Sequence, residues 1–144
     1  AHFGASLTPG GREVGVICDF GGDVGNSLGS LRLLRWAGVR GGDERREKLA
    51  EELSVGHFEK RRCASDPAVQ LAACAAVGID VEAARAFLDS DALKRELRTH
   101  LETCGIHSIP HVVISAGGAS AASQGALGVG GFASAMRAVL DRAG

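Results

Sequence analysis

The side chains in this sequence best suited to covalent chemistry are four cysteines: Cys18, Cys63, Cys74 and Cys104. Thiol–disulfide exchange needs a thiolate of lowered pKa, typically at a helix N-terminus, with a resolving thiol nearby. No two of the four form a C-x-x-C pair. Cys18 precedes Asp19, whose negative charge works against a thiolate. Cys63 follows Lys60-Arg61-Arg62, and these cations favour one, so Cys63 is the most reactive candidate; a half-buried bystander thiol is the plainer reading. Cys74 lies in the apolar stretch Leu71-Ala-Ala-Cys-Ala-Ala-Val77 and Cys104 on the apolar side of a predicted helix, so both read as small hydrophobes filling a core. The count permits disulfides, but these settings favour reduced thiols in a reducing, cytoplasmic compartment. Zinc takes ligand pairs at short spacing; only Cys104 with His107 comes near that, and no metal site is expected.

The second candidate is a loop. Gly105-Ile-His-Ser-Ile-Pro-His-Val-Val-Ile114 reads as a helix stop, a short connection and a buried strand, with Pro110 where the strand begins. Proline lacks an N–H and is tolerated at a strand's first residue or on an edge. A loop-to-strand junction is also a place where a cis X–Pro bond is accommodated. The strand's first backbone groups would then stay free to bind an extended peptide or thiol ligand. His107 and His111 flank Pro110. A histidine beside a thiolate can tune its pKa, although structural roles are commoner for loop and strand histidines.

The elements that must position these groups are mostly helical. Residues 1–12 read as a lead-in, and Val14–Phe20 as a short apolar extended segment broken by Gly21, Gly22 and Gly25. Asn26 or Ser27 caps a helix whose apolar side carries Leu28, Leu31, Leu34 and Trp36, with Gly38 as its stop. The next helix, Asp43–Arg62, has six acidic and six basic residues, a solvated face with pairs such as Glu44–Lys48, and Leu49, Leu53, His57 and Phe58 inward. Ser65-Asp66-Pro67 is a helix start that runs to Gly78. Asp80 caps a short helix with Ala83, Ala84 and Phe87 inward. Ser90 or Asp91 caps another, in which Leu93, Leu97, Leu101 and Cys104 recur at helical spacing and Gly105 is the stop. After the strand at His111–Ile114, Ala116-Gly117-Gly118 signals a hairpin turn and a weak strand follows near Ala121–Gly125. Phe132, Met136, Val139 and Leu140 share a side of the last helix, about Phe132 to Arg142. Gly128-Val-Gly-Gly131 reads as a connector rather than an anion site.

Composition bounds the function. The 144 residues fit one domain, 45% apolar and 23% charged. A net charge of −1, with no basic stripe among aromatics, argues against nucleic-acid binding. The apolar runs are too short to span a bilayer, and no signal-peptide pattern is visible. Two short strands do not make a stable sheet, so either Val14–Phe20 or strands from outside this chain must complete it.

From Val14 onward the sequence resembles the DsbA-like branch of the thioredoxin superfamily, in particular the FrnE-type proteins, and less closely the kappa-class glutathione transferases and 2-hydroxychromene-2-carboxylate isomerases. Gly25–Ala37 is similar to that family's Asn-Thr-x-x-Ala-His-Arg-Leu helix. Leu53–Phe58 is similar to its alanine-tyrosine-phenylalanine helix, with His57 in the tyrosine place. Asp66–Ser90 follows its inserted helical region. Gly105-Ile-His-Ser-Ile-Pro110 resembles its Gly-Ile-x-Gly-Val-Pro loop, whose proline is cis. There are departures. The opening half, with the C-x-x-C, is missing. Ser108 stands where glycine is usual. Ser123-Gln-Gly-Ala126 keeps only the flavour of the family's Ser-Gly-Ala-Gln-Pro.

The resemblance implies an α/β thioredoxin-like fold of DsbA type, lacking its N-terminal βαβ half. Residues 26–104 would form a helical insertion, and residues 105–144 the cis-proline loop, hairpin and last helix of one incomplete domain. It implies a role within a thiol–disulfide oxidoreductase whose active cysteines lie upstream of Ala1, so that this chain has no catalytic residue of its own. Ser108, Ile109 and Pro110 would bind substrate. Asn26 and Arg32 match family positions; a cap and a surface or inter-helix ion pair are the readings preferred for them. No cofactor is expected unless glutathione serves as one. The expected partners are a peptide or thiol substrate, and a second copy or the N-terminal part of the same protein on the open sheet edge. The alternatives are a glutathione-dependent transferase or isomerase of the kappa type and a non-catalytic peptide-binding module.

Overall fold

The computed structural model describes residues 11–13, 15, 18–106 and 109–144. The order of its main elements is α1 (Leu28–Phe58), α2 (Pro67–Ala76), α3 (Val81–Asp89), α4 (Lys94–Thr103), β1 (His111–Ala116), β2 (Ala119–Gln124) and α5 (Val129–Ala143). The chain divides into two compact units, residues 1–99 and 100–144.

In the first unit, the two helices expected around residues 26–62 are one element with a break. Gly38 stays helical; the interruption falls at Gly42, with φ 80° and ψ 177°. That backbone region is open almost only to glycine, whereas Gly38 sits in helical geometry where any residue fits. Asn26 rather than Ser27 supports the start: its Oδ1 accepts from the Leu28 N–H at 2.9 Å, and Ser27 makes no side-chain cap bond.

The α2 boundaries follow from local chemistry. Asp66 accepts from the Ala68 N–H at 2.8 Å with Pro67 in the first turn. At the other end the Ile79 N–H reaches the Cys74 carbonyl at 2.9 Å and the Gly78 N–H reaches that of Ala75 at 3.1 Å. With Gly78 at φ 71°, this is a Schellman stop, and it turns Ile79 back into the core beside Cys74. Asp80 then caps α3 through the Ala83 N–H at 2.6 Å.

The core of this unit is built from Leu33, Ala37, Leu49, Leu53, Leu71, Ala73, Cys74, Ile79, Ala84 and Phe87. Leu33, Leu49 and Cys74 are fully enclosed, and each such leucine contributes about 1.5–3 kcal/mol by leaving water. A polar seam runs through it. The Ser30 hydroxyl and the Gln70 amide both donate to the Ala64 carbonyl, and Gln70 also donates to Ser30 at 3.1 Å. This ties the Cys63–Asp66 loop to the start of α1.

Arg32 departs from the expected ion pair. It is buried and its guanidinium donates to the carbonyls of Phe87, Leu88, Ser90 and Ala92 instead. These include carbonyls that the end of α3 leaves without a helical donor, and a planar five-donor fork suits several at once.

The apolar stripe predicted around α4 is covered only in part: Leu93 packs against the core and Leu97 is half-buried. The helix has no buried residue, Leu101 is exposed, and Cys104, taken as a core filler, is half-buried with its thiol donating to the Leu101 carbonyl at 3.3 Å.

In the second unit, β1 and β2 pair antiparallel with His111 opposite Gln124 and Ala116 opposite Ala119. Gly117 and Gly118 make the two-residue turn with φ 52° and 81°, the type I′ pattern. Half-burial at Val112, Ile114, Ala116, Ala119, Ala121 and Ser123 alternates with exposure along most of the hairpin, and α5 packs on both strands. The covered stripe of α5 is Phe132, Ala135, Val139 and Ala143, of which only Val139 is fully buried; Met136 and Leu140 are exposed. One residue is about 100° of helix rotation, so both fall beside the stripe predicted for them. Arg142 Nη2 donates to the Ser120 carbonyl at 3.3 Å and helps hold the helix on the hairpin.

The sheet has these two strands and no third among the described residues. Of Val14–Phe20, residues 14, 16 and 17 lie outside the described residues, and Cys18–Phe20 is not a strand. Among the described residues no helix is long and apolar enough to cross a membrane.

Candidate functional site: the head of the hairpin and the four thiols

Pro110 stands immediately before β1, and the Ile109–Pro110 peptide bond is cis. The Pro110 carbonyl accepts from the Gly125 N–H at 2.8 Å, so Pro110 is in register opposite Gly125. In an antiparallel ladder, residues that exchange hydrogen bonds alternate with residues that do not. The inward-bonding positions of β1 are therefore Val112, Ile114 and Ala116. The N–H and C=O groups of His111, Val113 and Ser115 face away from β2, along an edge that no described strand covers.

Ile109 continues that edge. The residue is 84% exposed, and its backbone makes no hydrogen bond among the described residues. Val113 is also exposed. His111 Nδ1 is buried and has no hydrogen-bond partner among the described residues. Ser108 and His107, the other residues expected at this loop, lie outside the described residues.

All four thiols are free. Cys74 is fully buried, and its burial pushes the thiol up to about 11, which fits a core filler and removes it from exchange chemistry. Cys63 is half-buried, its Sγ 3.1 Å from the Ser65 hydroxyl. Gly25 makes room for this corner: a Cβ there would lie 1.9 Å from Ser65 Oγ and 3.3 Å from Cys63 Sγ. One of the three cations that precede it, Arg61, is engaged elsewhere. Arg61 Nε pairs with Asp19 Oδ2 at 2.7 Å, and this bond, with the Gly21 N–H, holds the Asp19 carboxyl below its usual range. Among the described residues no cation lies within hydrogen-bond reach of Cys63 Sγ, and no group of three or more His, Cys, Asp or Glu side chains is placed to hold a metal ion.

A proline-headed hairpin backed by a helix, joined to a helical region, is the frame on which the comparison with known proteins bears. The profile of the DSBA-like thioredoxin domain matches residues 2–136. This chain belongs to the DSBA-like thioredoxin domain family. Its mostly helical fold with an antiparallel hairpin and a final helix is consistent with a DSBA-like domain. No curated protein matches the sequence. Membership places the chain in a family of thiol–disulfide oxidoreductase type.

Sequence reasoning missed one site-like feature. A cleft of about 340 Å³ opens beside the Gly42 break, lined by Trp36, Ala37, Arg40, Arg45, Gly78, Ile79, Asp80 and Ala83. The charges after Asp43 read as a uniformly solvated face, and nothing in their spacing separates Arg45, which faces the cleft, from Arg46, which pairs with Asp43 at 3.1 Å.

Proposed function

We propose that this chain is the substrate-binding part of a DsbA-type, FrnE-like thiol–disulfide oxidoreductase, and that its own four cysteines do not carry the redox cycle. The observation that carries the reading is that, among the described residues, neither the backbone of Ile109 at the head of β1 nor the outer edge of His111, Val113 and Ser115 has a hydrogen-bonding partner. An extended peptide adds to such an edge through main-chain hydrogen bonds, with affinity set by the ladder and specificity by side-chain contacts. A cysteine-containing segment laid along Ser108, Ile109 and Pro110 would present its sulfur to a redox pair supplied from outside these residues. The lack of a C-x-x-C, the buried Cys74 and the hydroxyl-bonded Cys63 support the second half of the proposal.

The test is insulin reduction with dithiothreitol. The isolated chain leaves the rate at that of dithiothreitol alone; catalytic turnover would sink the reading. Titration calorimetry separates the remaining alternatives. Binding of an extended cysteine-containing peptide, lost when that peptide's backbone is N-methylated, fits the proposal. Tight binding of glutathione in preference to the peptide would move the chain to a kappa-type transferase or isomerase. The same free edge can be covered by a second copy or by the N-terminal part of the same protein; sedimentation of the isolated chain as a strict monomer at all concentrations would count against self-pairing.

A further inference from the structure

The cleft at the Gly42 break has a composition that the thiol chemistry does not use. Gly42 leaves helical geometry, and on its two sides Arg40 and Arg45 come to line one cavity with Trp36. The Trp36 ring is held from behind by stacking on Phe87, centroids 5.1 Å apart and planes 17° from parallel. The Arg40 guanidinium lies over the Trp36 ring at 5.2 Å. A guanidinium stacked on an aromatic face keeps its N–H groups directed outward in its own plane, where they can grip a carboxylate.

Arg45 is just as available. Its neighbours have found partners: Arg46 pairs with Asp43 at 3.1 Å, and Lys48 with Glu44 at 2.7 Å. Arg45 and Arg40 have no carboxylate within 4.0 Å among the described residues. Gly41 brings the Arg45 stem close, since a Cβ there would lie 2.5 Å from Arg45 Cδ. Asp80 is the one acid in the lining, and its Oδ1 is engaged by the Ala83 N–H at 2.6 Å. The rest of the wall, Ala37, Ile79 and Ala83, is apolar. The cleft therefore sets an apolar wall beside two guanidinium groups that have no carboxylate partner among the described residues.

We propose that this cleft binds a small aromatic carboxylate, its carboxyl group held between Arg40 and Arg45 and its ring against the apolar wall of Ala37, Ile79 and Ala83. The site stands in the first unit and is independent of the redox reading.

Trp36 is the sole tryptophan and the chain has no tyrosine, so fluorescence excited at the red edge of tryptophan absorption reports this cleft alone. Benzoate is the probe and benzyl alcohol its neutral counterpart. Benzoate should change Trp36 emission along a saturating curve that weakens with added salt, while benzyl alcohol gives none. Arg45→Gln should weaken benzoate at least about tenfold, the loss expected for one bidentate guanidinium–carboxylate contact. Arg45→Lys, which keeps the charge but not the fork, should fall between. Arg40→Gln provides an independent variant, with unchanged far-UV circular dichroism required of each. A linear response to benzoate, equal binding of benzyl alcohol, or undiminished affinity in well-folded Arg45→Gln and Arg40→Gln would each overturn the proposal.

Discussion

Replacing Arg32 with methionine tests the account of the first unit most sharply. The side chain is 6% exposed, and its guanidinium is 2.8 Å from the Ala92 carbonyl, 3.2 Å from that of Phe87 and 3.5 Å from that of Leu88, with Ser90 O closer still. The four contacts do not count equally. The Phe87 carbonyl also accepts from the Ser90 N–H at 3.2 Å and the Ser90 hydroxyl at 2.7 Å, so it keeps partners after the substitution. The Leu88 contact is at the limit of hydrogen-bond length. The bonds that matter are those to Ser90 O and Ala92 O. A hydrogen bond to a charged group is worth about 1.5–3 kcal/mol net. Both carbonyls belong to exposed residues and can recover water. Methionine also retains much of the packing of the stem. The net cost should be about 2–4 kcal/mol. Arg32→Lys should recover only part of it, because an ammonium cannot span the carbonyls as a planar fork does. The assay is urea unfolding followed by Trp36, whose ring stacks on the Phe87 that Arg32 also covers at 5.1 Å. With a slope of about 2 kcal/mol per molar urea, typical of a chain this size, the midpoint should fall by about 1–2 M at constant slope. A midpoint within about 0.3 M of the parent for Arg32→Met, or full recovery by lysine, would refute the carbonyl clamp.

Two glycines in one helix should respond in opposite directions. Gly42→Ala should destabilise by about 1–3 kcal/mol, because φ 80° with ψ 177° is open almost only to glycine. Gly38→Ala should stabilise by about 0.5–1 kcal/mol, since it sits in helical geometry with only an ordinary contact, 3.4 Å to Arg46 Cδ; urea midpoints decide both. Cys74 makes stability fall in alkali. Its thiol titrates near 9.0 when unfolded and about 11 when folded, so folding favours the protonated form. The stability is complete below about pH 9 and is lost as pH rises through 11, by up to about 2.7 kcal/mol at 1.36 kcal/mol per unit. Cys74→Ala should flatten the alkaline limb of the stability–pH profile, and a disulfide reagent should reach Cys74 only on unfolding while the three half-buried thiols react faster.

Much of this was legible because it is written locally. Asp66-Pro67, Asp80 and Gly78 announce α2 and α3 through caps that each involve a few consecutive residues. Ala116-Gly117-Gly118 announces the hairpin in the same way, and Pro110 marks the start of β1. What misled was tertiary. Leu101, Met136 and Leu140 have helical spacing yet are exposed; a period tells which residues share a side, not which of them the fold covers. Arg32 reads from sequence as half of an ion pair; that it instead gathers carbonyls near the end of α3 depends on a fold that brings residues 32 and 87–92 together. Gly38 and Gly42 are indistinguishable as letters, and only the backbone shows which of them breaks the helix. That no two of the four cysteines form a C-x-x-C is read directly from their spacing, whereas the cleft at Trp36, Arg40 and Arg45 needs both the break and the Schellman turn at Gly78 to exist.

The central claim is that the hairpin head binds substrate for a redox pair these residues do not contain. Intact mass and N-terminal sequencing of the protein from its native cells test it most directly. The account predicts a longer product with a C-x-x-C upstream of Ala1. A native protein that begins at or near Ala1, and carries no other cysteine pair, would contradict it and leave a peptide-binding module without redox chemistry.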